Sequence, residues 1–303
     1  MLDLRRLRLL SELSRHGTIA AVARVVGYTP SAISQSLAQL EREVGTPLLE
    51  RDGRRVRLTP AAHHLVARTD RVLAELDAAE AELAVERETV RGEIVIGAFP
   101  SAAAALVVPA IVDLAARHPQ LSCTVREHEP EDGIPLLRSG GLDVLVSESY
   151  EEVQSAPVGG LESTLLLSEP LLLVLPREDP TREPVALTTL AGAEWIGGLA
   201  GTQFAAALEQ ACRAAGFSPR IVHRADDALL LQALVASGLG IGLLPALACF
   251  GSNRVRFAEL AAPAPPRRHV GALVRRGAAR RPALAAVLEA LLVRAVAAPA
   301  RAA

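Results

Sequence analysis

Lysine is missing from this chain of 303 residues: all 32 of its basic residues are arginine. With so much alanine, that bias is the mark of a GC-rich coding sequence, and arginine is also the better residue for phosphates and base edges. Cysteine is scarce. Cys123, Cys212 and Cys249 lie far apart and are odd in number, which excludes a disulfide frame or a cysteine metal site and leaves them as buried thiols in a reducing cytosol. Long apolar runs are lacking too. "LLLSEPLLLVLP" is cut by Ser168, Glu169 and Pro170, short of the roughly 18 to 20 residues that span a membrane. "MLDLRRLRLLSELSRHG" carries charges through its apolar positions, so it has no uninterrupted secretory core, and the cytoplasm is the expected location.

Enzyme signatures are equally sparse. There is no G-x-S-x-G, H-E-x-x-H or C-x-x-C, and the adjacent His63 and His64 have the wrong spacing for one metal-binding face. "SGLGIGLLP" lacks the third spaced glycine of a dinucleotide fingerprint and runs helix, glycines, strand, the reverse of what that site needs. Asp226-Asp227 reads as a helix start. The expectation is no catalysis, no metal and no resident cofactor.

What is present divides the chain. Residues 1–60 hold ten arginines against six acidic residues, net +4, whereas 61–91 and 92–303 are each net −3. A basic first unit on an acidic body fits a nucleic-acid-binding head. Leu4, Leu7, Leu10 and Leu13 mark a first helix; Thr18 caps a second with Ile19, Val22, Ala23 and Val26 on one face. Thr29 caps a third, with Pro30 at its first position and Ile33, Leu37, Leu40 and Val44 buried. "LLERDGRRVRLT" predicts a hairpin turning at Asp52-Gly53, with Val56 and Leu58 inward and Arg55 and Arg57 outward. Residues 1–59 therefore read as a winged helix-turn-helix, its two helices over about 18–37 and its wing over about 48–59.

Residues 60–88 predict one helix in which Leu65, Thr69, Val72, Leu76, Ala79 and Leu83 keep a heptad seam. Such a seam fits a dimerising linker, with Leu65, Val72, Leu76 and Leu83 as its contacts, or a helix lying on its own domain. From 92 onward, β-rich runs alternate with helical ones, the pattern of a doubly wound α/β fold long enough for two lobes with a ligand between them.

On the third helix, 100° per residue sets Ser31, Gln35, Ala38 and Arg42 opposite the buried stripe, with Ser34 on the flank. Short polar side chains there let a helix approach a surface closely. In a major groove glutamine pairs with adenine, serine contacts base edges or phosphate, and alanine packs on a thymine methyl. Arg51, Arg54, Arg55 and Arg57 on the hairpin can hold the DNA backbone or enter the minor groove. The competing reading is a capped helix in an unrelated bundle.

Taken in order, "LRRLRLLSELSRHGTIAAVARVVGYTPSAISQSLAQLEREVGTPLLERDGRRVRLTPAA" resembles the LysR-type transcriptional regulators almost step for step. The likeness extends through "GEIVIGAFPS", "RHP", "LLRSGGLDVLV", "EPLLLVLP", "CRAAGFSPRI" and "LVASGLGIGLLP". Two departures stand out: Pro30-Ser31 replaces the Gln-Pro pair of many relatives, and Ala62 replaces a usual glycine.

The resemblance implies an effector-binding domain over 89–303, like periplasmic solute-binding proteins of type 2. Lobe I would cover about 92–164 and 267–303, and lobe II about 165–266. A small-molecule co-inducer would bind between them, near Pro100, Ser101, Ala102, His128, Ser147, Gly201 and Thr202. From sequence Ser101 reads equally as a helix cap, and His128 as a solvent-facing residue of its acidic loop. DNA contacts would come from Thr29, Pro30, Ser31, Ser34, Gln35, Arg51, Arg54 and Arg55. Double-stranded promoter DNA, a dimer of dimers of the chain itself, and RNA polymerase are the implied partners. A transport solute-binding protein is the rival, opposed by the basic head.

Overall fold

The computed structural model of the chain describes residues 2–52, 55–85, 90–150, 159–250, 252–261 and 266–298. It opens with helices α1 (Leu4–His16), α2 (Ile19–Val26) and α3 (Pro30–Val44). Side chains start each one: Asp3 accepts from the N–H groups of Arg5 and Arg6, Thr18 from Ala21, and Thr29 from Ala32. Gly27, at φ 72°, reverses the chain between α2 and α3, a conformation that a side chain would strain. Leu10, Leu13, Val22, Ile33, Leu37, Leu40 and Leu48 form one core, on which Val56 and Leu58 rest.

The wing is the antiparallel pair β1 (Leu49–Asp52) and β2 (Arg55–Leu58), in register from Leu49↔Leu58 to Asp52↔Arg55. Of the expected Asp52-Gly53 turn, Asp52 is the last residue of β1, and Gly53 lies outside the described residues.

Helix α4 (Pro60–Val85) follows, 26 residues long. Thr59 Oγ1 caps it at the N–H of Ala62, which is itself fully buried. Leu65 packs on the head's own core, and Thr69 is buried with its hydroxyl donating to the Leu65 carbonyl at 2.9 Å. The start of the heptad stripe therefore packs within the chain, Thr69 fully and Leu65 in part. Val72 and Leu76 remain 46% and 44% exposed. The Leu83 side chain lies outside what is described.

The body comprises β3 (Gly92–Ala98), α5 (Pro100–Ala102), a π turn at Ala103–Val107, α6 (Val108–Arg117), β4 (Leu121–Glu127), α7 (Pro130–Ser139), β5 (Val144–Tyr150) and β6 (Leu161–Pro176). Then come β7 (Glu194–Gly197), α8 (Gln203–Ala214), β8 (Arg220–Arg224), α9 (Ala228–Ala236), β9 (Ile241–Pro245), β10 (Val255–Ala258), β11 (Arg267–Arg275) and α10 (Pro282–Ala297). The strands run β4-β3-β5-β11-β6-β9-β7-β8, with β10 on β6. Each flank is parallel as expected, β3 with β4 and β5, and β7 with β8 and β9. The centre is not: β11 runs antiparallel to both β5 and β6. β6 passes from one lobe into the other as a single 16-residue strand, and β11 returns alongside it.

Two apolar cores flank this centre. One gathers Ile94, Ile96, Leu106, Leu114, Val144, Val270, Leu284 and Leu291, and includes Leu166 and Leu167 of β6. The other gathers Leu171, Leu173, Trp195, Ile196, Leu208, Leu231 and Leu243. They meet on β6 at about Ser168–Pro170, near the division at about 164/165 that the resemblance implies. The helical stretch Pro100–Arg117 does reach the length and apolarity of a membrane span, contrary to expectation. Its Ala102, Leu106, Val107, Ala110 and Leu114 are fully buried in the first core.

Candidate nucleic-acid interface and effector cleft

The third helix separates its two faces cleanly. Ile33, Leu37 and Leu40 are buried, whereas Thr29, Pro30, Ser31, Ser34 and Gln35 are exposed. Thr29 Oγ1 both caps the helix and lies 3.0 Å from Ser31 Oγ, so those hydroxyls hold each other in place. Lower on the helix, Gln39 accepts from Arg42 and donates to Glu43, and Glu43 also pairs with Arg6 of α1. Ser31, Ser34 and Gln35 stand clear of that network.

Glu41 fixes the wing to this helix. Its Oε1 accepts the N–H groups of Leu48 and Leu49 at 2.8 and 2.9 Å, just where β1 begins. Sequence reading did not single out Glu41. It also passed over Tyr28, 60% exposed directly before the helix, an aromatic hydroxyl suited to a phosphate or sugar contact. Arg57 is exposed on β2; the side chains of Arg51 and Arg55, and all of Arg54, lie outside the described residues.

At the end of β3, Pro100 starts a helix, and Ser101 and Ala102 are buried. Ser101 caps nothing. Its hydroxyl accepts from Arg268 Nη2 at 3.1 Å. Arg268 also binds Glu169 Oε1 through Nε at 2.7 Å and Glu148 Oε2 through Nη1 at 2.8 Å, and stacks 4.9 Å from the Phe99 ring centroid. Burial disfavours the guanidinium's charge, but the facing carboxylates of Glu148 and Glu169 outweigh it and raise its pKa. Burial likewise raises the Glu148 carboxyl, against the pull of Arg268.

Other expected cleft residues are placed less centrally. His128 is half-buried, its backbone N–H donating to Ala98. Ser147 lies on β5 opposite Gly271. Gly201 is exposed, and the Thr202 hydroxyl is taken up locally, accepting from Ala205 and donating to Leu199. Asp227 caps α9 as expected, whereas Asp226 instead accepts the Leu199 N–H at 2.8 Å. A Cβ at Gly198 would fall 2.8 Å from both Asp226 Oδ1 and the Ala205 nitrogen, so only glycine fits this loop. Glu129 precedes α7, and its pKa is raised to about 7 by partial burial and by the charges of Glu148, Glu131 and Asp226.

Of the cysteines, only Cys212 is buried; Cys123 and Cys249 are half-buried, short of the expectation for all three. Burial raises the pKa of each, Cys212 and Cys249 to about 12. Among the described residues no group of His, Cys, Asp or Glu is arranged to hold a metal.

The bacterial regulatory helix-turn-helix family of LysR type matches residues 4–63, and the LysR substrate binding domain matches 87–295. The chain is 29% identical over 304 residues to the DNA-binding transcriptional dual regulator OxyR of Escherichia coli, covering 97% of this chain and 96% of that one. It is 31% identical over 289 residues to a probable hydrogen peroxide-inducible genes activator of Streptomyces viridosporus, covering 92% and 89%. In fold it resembles a full-length OxyR variant from Pseudomonas aeruginosa, with TM-score 0.67, 20% identity and coverage of 96% and 95%. It also resembles full-length CbnR in complex with its target DNA, with TM-score 0.56, 22% identity and coverage of 97% and 100%. The head with its exposed polar helix, the long α4 and the two-lobed body answer in order to those two matched regions, so the chain belongs to the LysR family of transcriptional regulators, with a DNA-binding head and an effector-binding domain.

Proposed function

We propose that α3 enters a major groove and reads its operator through Ser31 and Gln35, with Ser34 on the flank and Thr29 and Pro30 at the helix start near a phosphate. Arg51, Arg54 and Arg55 of the wing hold the DNA backbone. The observation that carries this reading is the face of α3: short, exposed and polar opposite a fully buried stripe. Two heads pair through the α4 helices at Val72 and Leu76, with Leu83 further along, and read a pseudo-palindromic site. Two such dimers join into a tetramer in the cytoplasm and act on RNA polymerase. Gel-shift titration tests the reading: Gln35→Ala should relax base preference at one operator position while leaving binding to unrelated DNA unchanged. Wild-type preference in that variant would place the groove contact elsewhere.

The effector is a non-covalent ligand bound beside Pro100, Ser101 and Ala102, with His128, Ser147, Gly201 and Thr202 around it. Several relatives are named as peroxide-inducible activators, but the thiol chemistry here favours another signal. The thiolate is the nucleophile in cysteine oxidation, and a thiol raised to about 12 supplies almost none at neutral pH. Mass spectrometry after mild peroxide treatment should find Cys212 and Cys249 unmodified and operator binding unchanged. A sulfenic acid or disulfide that alters binding would reverse this.

A further inference from the structure

Arg268 lies where the two lobes join. β11 sets it on the rung opposite Tyr150 of β5 and Glu169 of β6. Each of its partners extends the hold. Glu169 Oε2 accepts the Leu247 N–H at 2.6 Å, in the Ala246–Ala248 turn that follows β9 of the second lobe. The Leu247 side chain reaches over to the core of the first lobe. Glu148 Oε1 accepts from the Tyr150 hydroxyl at 3.2 Å, and the Tyr150 ring packs 6.4 Å from Phe204 of the second lobe. Ser101, at the start of the helix after β3, is the third partner.

One guanidinium therefore fastens the start of the cleft helix, three central strands and a turn that bridges the lobes. It is only 3% exposed, so it cannot swing into water to exchange partners. In such a dry site, removing one partner leaves a charge without its counterpart, and the remaining groups must rearrange.

We propose that Arg268 is a positioning residue that couples occupancy of the cleft to the angle between the lobes. It holds the Ser101 hydroxyl and the Glu169 carboxylate in one rigid frame. A ligand that takes the Ser101 hydroxyl frees a guanidinium donor and changes the pull on the strand junction. A ligand shifts a conformation only through such a differential contact. The inference rests on the reading that the effector sits at Ser101, but its test needs no effector.

The single tryptophan, Trp195, is fully buried in the second lobe, and Cys123 lies on β4 of the first. Energy transfer from Trp195 to an acceptor on Cys123 reports lobe separation in the full chain, in a Cys249→Ala background. Ser101→Ala deletes only the hydroxyl, Ser101→Thr retains it, and Arg268→Lys keeps the charge but loses the planar fork. Ser101→Ala and Arg268→Lys should each shift the transfer efficiency in the same direction, and the double variant should shift it no further than the larger single. Ser101→Thr should match the parent. Unchanged transfer in folded Ser101→Ala, or two shifts that simply add, would overturn the proposal. If Arg268→Lys fails to fold, the Ser101→Ala and Ser101→Thr pair still decides it. An effector that proves to bind elsewhere would leave these results standing, so failure of the effector reading is told apart from failure of the coupling.

Discussion

Replacing Glu41 by alanine should detach the wing from the recognition helix. The carboxylate receives two backbone N–H groups, Leu48 at 2.8 Å and Leu49 at 2.9 Å, beside a Leu48 side chain that is 1% exposed. Each hydrogen bond to a charged acceptor contributes roughly 1.5–3 kcal/mol net. Glu41 is itself only half-buried, so water replaces part of that loss, and about 2 kcal/mol is the expected cost to the head. That corresponds to a factor of roughly 30 in its opening equilibrium. Amide hydrogen exchange on the full chain reads this directly, because core amides of α3 should exchange faster by that factor while those around Trp195 in the second lobe should not. Operator affinity should fall on every sequence tested, since the wing serves position and not base choice. Glu41→Gln, which still offers an acceptor, should lie between. Unchanged exchange in the head, or equal acceleration in the second lobe, would refute the local role of Glu41.

Other consequences follow from the same structure. Arg54→Ala should weaken binding to all DNA and flatten its salt dependence, whereas Gln35→Ala should cost about 1–3 kcal/mol at one base position if its contact is bidentate. Val72→Glu with Leu76→Glu should lower the assembly from tetramer to dimer in sedimentation velocity, since both side chains are open on α4; unchanged assembly would move the head-to-head contact off this stripe. The Glu129 carboxyl titrates at about 7 in the folded chain against its ordinary 4.5. The folded state therefore holds the extra proton between those values, and stability falls as pH rises through that window. Because Glu129 is only partly shielded, the effect should be about 1 kcal/mol. Glu129→Gln should flatten that slope in thermal melts at pH 5 and pH 8; an unaltered slope would remove Glu129 as its source.

The head was legible in sequence because its determinants are local. Thr18 and Thr29 cap the helices they precede, and the Ile33, Leu37, Leu40 stripe needs only helical spacing to be read. The centre of the body was not legible, for the opposite reason. Arg268 meets Glu169, Glu148 and Ser101 across 99, 120 and 167 residues of chain, and no local pattern connects them. In "SES", "SEP" and "RRH" these charges look like the outward positions of exposed strands, yet the lobe junction buries them. The mid-strand Pro170 likewise hid that β6 continues through both lobes, because proline normally ends a strand. Thr69 marks a third limit: a heptad pattern does not say whether its partner is another chain or the chain's own head, and the alternative of a helix on its own domain stayed open for that reason.

Footprinting tests whether the Ser31 and Gln35 face of α3 reads DNA in the major groove of a two-fold site. The full-length protein and a Ser31→Ala, Gln35→Ala double variant are compared on the DNA upstream of its own gene. The parent should give two protected segments about one helical turn apart, with guanine N7 methylation interfering at their centres, and the variant should lose that pattern while weak, salt-sensitive binding persists. An identical footprint from both proteins would contradict that reading.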